Sequence, residues 1–262
     1  MIDVHCHILP GIDDGAKDFK ESLTILRKAE KAGITDIILT PHYIRGTKYD
    51  ANNTEKWELF KALSSEMKKS NIKINIFLGN EIYIDQELPE MLDGYNVKNT
   101  TKSSSKNPAK SKRKTKDIYE VSTLNSKKYI LIELPVQYED LSAPQTLFEL
   151  ITRGYVPMIA HPERYVYIQN NLKYAEELVR IGCLLQGDYL ALTGKYGKKE
   201  EKTLKKLLKM DKIFCLASDI HHARDDYDLE LTEKKLQKIL KKDQKKINQL
   251  LVANPKKILL GK

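Results

Sequence analysis

Three cysteines, Cys6, Cys183 and Cys215, are all that this chain of 262 residues holds. They are too few, and odd in number, for a disulfide framework, so a reducing, cytoplasmic setting is the expectation. No apolar run approaches the roughly 20 residues that a membrane-spanning helix needs. The opening Met1-Ile2-Asp3-Val4-His5 has neither the basic start nor the apolar stretch of a secretory signal. No Gly-x-Gly-x-x-Gly follows the first predicted strand and no Walker-type Gly-Lys-Ser/Thr occurs, which counts against an open, doubly wound nucleotide-binding sheet. A Cys-x5-Arg signature is missing too. The residues six positions after the cysteines are Ile12, Tyr189 and His221, so a thiol-based phosphate-ester hydrolysis is excluded.

What is present is a chain with 41% hydrophobic and 31% charged residues and a mean hydropathy of −0.50. That suits a water-soluble domain large enough to bury a core, and residues 1–262 are read as one domain. The net charge of +9 suggests nucleic acid at first sight, but it is concentrated in one place. Residues 96–128 hold ten lysines and arginines against Asp117 and Glu120, a surplus of eight, leaving +1 for the other 229 residues. The stretch 97–116 lacks aromatic residues and periodicity and is expected to be a disordered basic insert. Without interleaved aromatics it can attract phosphate but not read bases, so no specific nucleic-acid partner is expected.

Elsewhere, short apolar runs alternate with amphipathic stretches. Strands are predicted at 1–8, 36–40, 72–81, 129–133, 156–161, 183–186 and 213–219. Helices are predicted at 18–32, 54–69, 143–153, 172–181 and 198–210, with two more at the C-terminus. About seven such units argue a closed or nearly closed parallel barrel.

The six histidines, His5, His7, His42, His161, His221 and His222, are not scattered. His5, His7, His42, His161 and His221 fall at the C-terminal ends of predicted strands, as do Glu81, Glu133 and Asp219. In a parallel barrel those ends share one face, where sites are built. Residues two apart on a strand point the same way, so His5 with His7, and Asp219 with His221, can aim at one centre, while Cys6 faces away. Histidine and carboxylate donors without thiolate suit borderline-to-hard divalent ions such as Zn, Mn or Fe. Arg164, three residues after His161, and Arg45 near the mouth are candidate partners for an anion.

The segment from Met1 to Gly15, with Thr40-Pro41-His42, Gly79-Asn80-Glu81, Ile132-Glu133, Ala160-His161-Pro162-Glu163-Arg164-Tyr165 and Ala217-Ser218-Asp219-Ile220-His221, resembles the polymerase and histidinol phosphatase (PHP) superfamily. More narrowly, it resembles its bacterial capsule-type (CpsB/CapC-like) protein tyrosine phosphatases. The resemblance implies a distorted (β/α)7 TIM-like barrel holding three divalent metal ions, Mn2+ first, with Zn2+, Fe2+, Co2+ or Mg2+ as alternatives. It assigns His5, His7, Glu81 and Asp219 to the first metal. Glu133 and His161 would take the second, with Glu81 bridging. Asp14, His42 and His221 would take the third. Asp13 is disfavoured as a ligand, His222 is read as a loop residue, and Arg224 is the candidate for an arginine expected after the last Asp-x-His.

Three divalent ions set against Asp14, Glu81, Glu133 and Asp219 leave a net +2, which suits a phosphate-ester dianion. Bound metals would supply water acidified to a pKa of ~7. A phenolate leaves readily because tyrosine has a pKa of ~10, so no general acid is assigned. The expected activity is hydrolysis of phosphotyrosine in a protein. The resemblance implies a membrane-associated bacterial tyrosine autokinase as partner, in capsule or exopolysaccharide synthesis. The alternatives are another phosphoesterase of the superfamily, such as a histidinol-phosphate phosphatase, or a non-catalytic phosphate-binding module using the basic insert. The insert could also add weak attraction to an anionic membrane, at about 1 kcal/mol per nearby basic residue.

Overall fold

The computed structural model describes residues 1–50, 52–92 and 121–262, so the predicted basic insert at 97–116 lies outside the described residues. The strands are β1 (Ile2–Asp3), β2 (Asp36–Leu39), β3 (His42–Tyr43), β4 (Asn75–Leu78), β5 (Glu81–Tyr83), β6 (Tyr129–Glu133), β7 (Val156–Ala160), β8 (Leu184–Asp188) and β9 (Cys215–Ala217). Every strand pairing among the described residues is parallel. One sheet runs β1-β2-β4 and the other β3-β5-β6-β7-β8-β9.

The two sheets are continuous through the chain. Thr40-Pro41 separates β2 from β3, and Gly79-Asn80 separates β4 from β5. Pro41 has no N–H to give to a ladder. At Gly79 a Cβ would lie 2.9 Å from Leu124 Cδ2, so a side chain here would push Leu124 aside at the turn Leu124–Ser126. Asn80 spans the break with its side chain. Its Nδ2 donates to the Pro41 carbonyl at 2.9 Å, and its Oδ1 accepts from the Ser122 N–H at 3.0 Å and from Lys56 Nζ. The predicted single strand at 72–81 is therefore two strands.

Seven staves result, and the last returns to the first. The Asp219 N–H donates to the His5 carbonyl at 2.9 Å, and the His7 N–H donates to the Ile220 carbonyl at 2.9 Å. Cys6 bridges Ile220 in parallel. The architecture is the expected distorted (β/α)7 barrel. Helices cover its outside. The helix Phe19–Lys31 is typical: Asp18 caps its N-terminus by accepting from the Glu21 N–H, and it buries Ser22, Ile25, Leu26 and Ala29, one stripe of its surface.

Side-chain parity decides what enters the barrel. Along β6, Tyr129 and Leu131 join the inner cluster with Val4, Met158, Ala160, Cys215 and Ala217, while Ile130 and Ile132 join the outer layer under the helices. Glu133 is the next inward residue, so alternation alone aims it into the mouth. In the first stave Val4 lies inside and Cys6 in the outer layer. The phase therefore shifts after Val4, which turns His5 and His7 inward.

The two expected C-terminal helical segments are present. Beyond Leu229–Ile239, helical structure runs from Gln244 to Leu260 through a π-turn at Gln249–Ala253. Pro255, one residue into the next helix, cannot donate backward, and the wider turn accommodates it. Among the described residues no helix is long and apolar enough to cross a membrane.

Candidate metal centre

Among the described residues, the strand ends and the loop after the first stave deliver three overlapping groups of donors: His5, His7, Glu81 and Asp219; His7, Asp14, His42 and His221; and His42, Glu81 and Glu133. All eight residues belong to the expected set. In the first group His5 Nε2 lies 3.2 Å from His7 Nε2, 3.2 Å from Glu81 Oε2 and 3.0 Å from Asp219 Oδ1. His7 Nε2 lies 3.2 Å from both carboxylate oxygens. Four donors about 2.0–2.1 Å from one ion stand about 3.3–3.4 Å apart when tetrahedral. Five edges of this group come close to that figure. Glu81 Oε2 and Asp219 Oδ1 are buried without a hydrogen-bond partner, which a bound cation would remedy. The residues fit a divalent metal.

Both first-stave imidazoles are held in the tautomer that presents Nε2. The Gln186 amide donates its Nε2–H to the Gly187 carbonyl at 2.8 Å, which turns Oε1 to accept from His5 Nδ1 at 2.7 Å. Asp13 Oδ2 accepts from His7 Nδ1 at 2.8 Å and from the His42 N–H at 3.0 Å. Asp13 thus orients a donor rather than joining a donor group. Such partners fix ring orientation and raise ligand basicity.

His161 follows β7 at φ 31°, and Asp219 follows β9 at φ 49°. Both are left-handed, a conformation that L residues avoid and that gathers at functional sites. The turn at His161 re-aims a ring that alternation would send outward, bringing Nε2 to 2.9 Å from Glu81 Oε1 and 3.8 Å from Glu133 Oε1. His42 also faces this pair, with Nδ1 3.1 Å from Glu81 Oε2, while its Nε2 lies 3.4 Å from Asp14 Oδ1. His42, expected only at a third metal, therefore borders two groups. Asp219 and His221, expected to aim at one centre, enter adjacent groups because the left-handed turn breaks the pleat between them.

The electrostatics match a cluster that awaits positive charge. Burial, then the Glu81 carboxylate, push Glu133 up to about 7. Burial, with His7 beside it, lowers His221 to about 4, and burial with Arg164 also lowers His161. Both rings are neutral near pH 7, the form that binds metals. For His5, burial opposes the proton but the Glu81 and Asp219 carboxylates prevail, raising it to about 10. A metal would compete with that proton.

The arginines separate. Arg164 Nη2 donates to Asp188 Oδ2 and Asp219 Oδ2, each at 2.6 Å, and its guanidinium lies 4.0 Å from the Tyr196 ring centroid. It reaches the first donor group through Asp219. Arg45 is exposed and pairs with Glu87 at 2.7 Å, and Arg224 is exposed. His222, read as a loop residue, is outside the three groups, 4.0 Å from Glu21. Sequence reasoning missed Gln186 and Asp188. Both are fully buried on β8. Polar residues two apart at the end of an otherwise apolar strand were the available signal.

A parallel (β/α)7 barrel with histidine and carboxylate donors at its C-terminal strand ends defines a metal-binding site of the hydrolase type. The chain belongs to the CpsB/CapC family of capsular polysaccharide synthesis, whose pattern matches residues 1–105 and 110–260. Tyrosine-protein phosphatase YwqE of Bacillus subtilis is 34% identical over 224 residues, covering 86% of this chain and 78% of the relative. Tyrosine-protein phosphatase CpsB of Streptococcus pneumoniae is 29% identical over 268 residues, covering 99% of this chain and 98% of the relative. Among solved structures, a match comes from work on YwqE and CpsB, described as unique metal-dependent tyrosine phosphatases. It has a TM-score of 0.84 and 30% identity, and covers 100% of this chain and 95% of that one.

Proposed function

We propose that this protein is a metal-dependent protein tyrosine phosphatase of capsule or exopolysaccharide synthesis, acting on phosphotyrosine of a membrane-associated tyrosine autokinase. The carrying observation is the buried group of His5, His7, Glu81 and Asp219, with donor atoms 3.0–3.2 Å apart. Family membership supports the choice of phosphotyrosine over histidinol phosphate, and the full set of donors weighs against a non-catalytic module. Divalent ions, Mn2+ foremost, would supply an acidified water and charge to match the phosphoryl oxygens. Three ions are expected, shared by His5, His7, Asp14, His42, Glu81, Glu133, His161, Asp219 and His221.

The chain's own residues do the rest. Gln186 and Asp13 hold the His5 and His7 rings, and Arg164 holds Asp219 while lending positive charge beside it. The thiols of Cys6, Cys183 and Cys215 are buried and take no part. Residues 1–262 are read as one domain, and the basic stretch at 97–116 as an accessory that raises concentration near an anionic leaflet. The test is phosphotyrosine-peptide hydrolysis by metal-stripped protein with Mn2+, Zn2+, Fe2+, Co2+ or Mg2+ restored, beside histidinol phosphate. Metal-restored hydrolysis of the peptide is expected. Turnover of histidinol phosphate alone would overturn the reading.

A further inference from the structure

Two tyrosines border the donor groups and are not used by the phosphate chemistry. Tyr83 ends β5. Glu81 and Tyr83 are two apart on that strand and share a face, and Tyr83 is the register partner of Glu133, the inward residue at the end of β6. Tyr83 is thus one layer above Glu81, at the mouth. It is half-buried and lies in the field of the Glu133 and Asp140 carboxylates, near Tyr138, which is 63% exposed in the loop after β6.

Tyr49 comes from a different segment, the loop after β3. Its carbonyl accepts from the Ile44 N–H at 2.9 Å, folding the loop back. Its half-buried ring stands 5.9 Å from the His42 ring at 35°. Tyr83 and Tyr49 therefore approach the His42, Glu81 and Glu133 group from two separate elements, the end of β5 and the loop after β3.

We propose that Tyr83 and Tyr49 form an aromatic rim that receives the phenyl ring of the substrate and makes the site select aryl over alkyl phosphate esters. The proposal rests on the phosphatase reading above. With the phosphoryl group drawn to the donor cluster, the ester oxygen points outward and its substituent meets the rim. A phenyl ring can stack or meet edge to face there, each such contact being worth roughly a factor of 2–12 in affinity. A serine or methyl ester leaves the rim unfilled.

The test is calorimetric binding of phenylphosphonate and methylphosphonate to metal-loaded wild type, Tyr83→Ala, Tyr83→Phe and Tyr49→Ala, with metal content measured on each. Wild type is expected to bind phenylphosphonate about tenfold more tightly than methylphosphonate. Tyr83→Ala should weaken phenylphosphonate about five- to tenfold while methylphosphonate and metal content stay within about twofold, and Tyr83→Phe should restore most of the preference. Tyr49→Ala should act in the same direction from the loop after β3. Equal or absent binding of the two phosphonates by wild type, or equal weakening of both in Tyr83→Ala and Tyr49→Ala, would overturn the rim. A wild type that prefers phenylphosphonate yet hydrolyses no phosphotyrosine peptide would overturn the phosphatase reading and leave the rim supported.

Discussion

The inner and outer donors differ in burial. The side chains of His5, His7, Glu81 and Asp219 are at most 1% exposed, whereas those of His42, Glu133, His221 and Asp14 are 12%, 17%, 21% and 49% exposed. The inner rings also have fixed tautomers, through Gln186 and Asp13. A buried charge left without its partner is far costlier than an exposed one, and an ordered, dry donor set loses less freedom on binding. The inner group should therefore hold its metal tightly, and the outer one should exchange with solvent and substrate.

The largest expected effect breaks that comparison directly. His5→Ala or Asp219→Ala should lose nearly all turnover, about a thousandfold or more, because metal activation supplies several kcal/mol of transition-state stabilisation. Asp14→Ala or His221→Ala should retain more activity and more bound metal. Steady-state kinetics with elemental analysis of each variant decides it. Equal losses in both pairs would remove the distinction.

Next comes Arg164→Ala. Its double contact with Asp188 and Asp219 is a charge-assisted link, so kcat/KM should fall by about 1.5–3 kcal/mol. If Arg164 acts through Asp219, metal content falls with it. If it grips phosphate directly, metal content is unchanged. Gln186→Ala, which frees the His5 ring, should cost about 10–100-fold in metal affinity or activity, read by competition with a graded chelator. An unchanged affinity would show that the buried walls alone orient His5. The smallest effect is expected for Arg45→Ala. Its exposed pairing with Glu87 is worth about 0–1 kcal/mol, so stability and turnover should stay near wild type.

The same division between inner and outer explains what could be read in the sequence. That His5, His7, Glu81 and Glu133 gather at one end follows from reading the apolar strands, because parallel staves bring their C-terminal ends to one face, whereas the phase shift after Val4 that turns His5 and His7 inward has no counterpart in the pattern. Asp14 lies on the loop after the first stave, and only the resemblance pointed to it. Gln186 reaches His5 across 181 positions of sequence, and no local pattern encodes such a contact. Nor does alternation foresee the left-handed residues at His161 and Asp219, which decide which group each ring or carboxylate enters. The break at Gly79-Asn80 was hidden for a related reason. It arises from the close packing of Leu124 against Gly79, a tertiary constraint that overrides a good strand pattern.

The central claim is that the inner group is a tight metal site on which hydrolysis depends. The most direct measurement is the metal content of purified protein during stepwise removal by a chelator, with phosphotyrosine-peptide hydrolysis followed at each step. The account predicts that weakly held metal leaves first, that a tightly held ion remains until stronger chelation, and that activity is abolished once that ion is gone and returns when it is restored. Full hydrolysis by protein stripped of all divalent metal would contradict it.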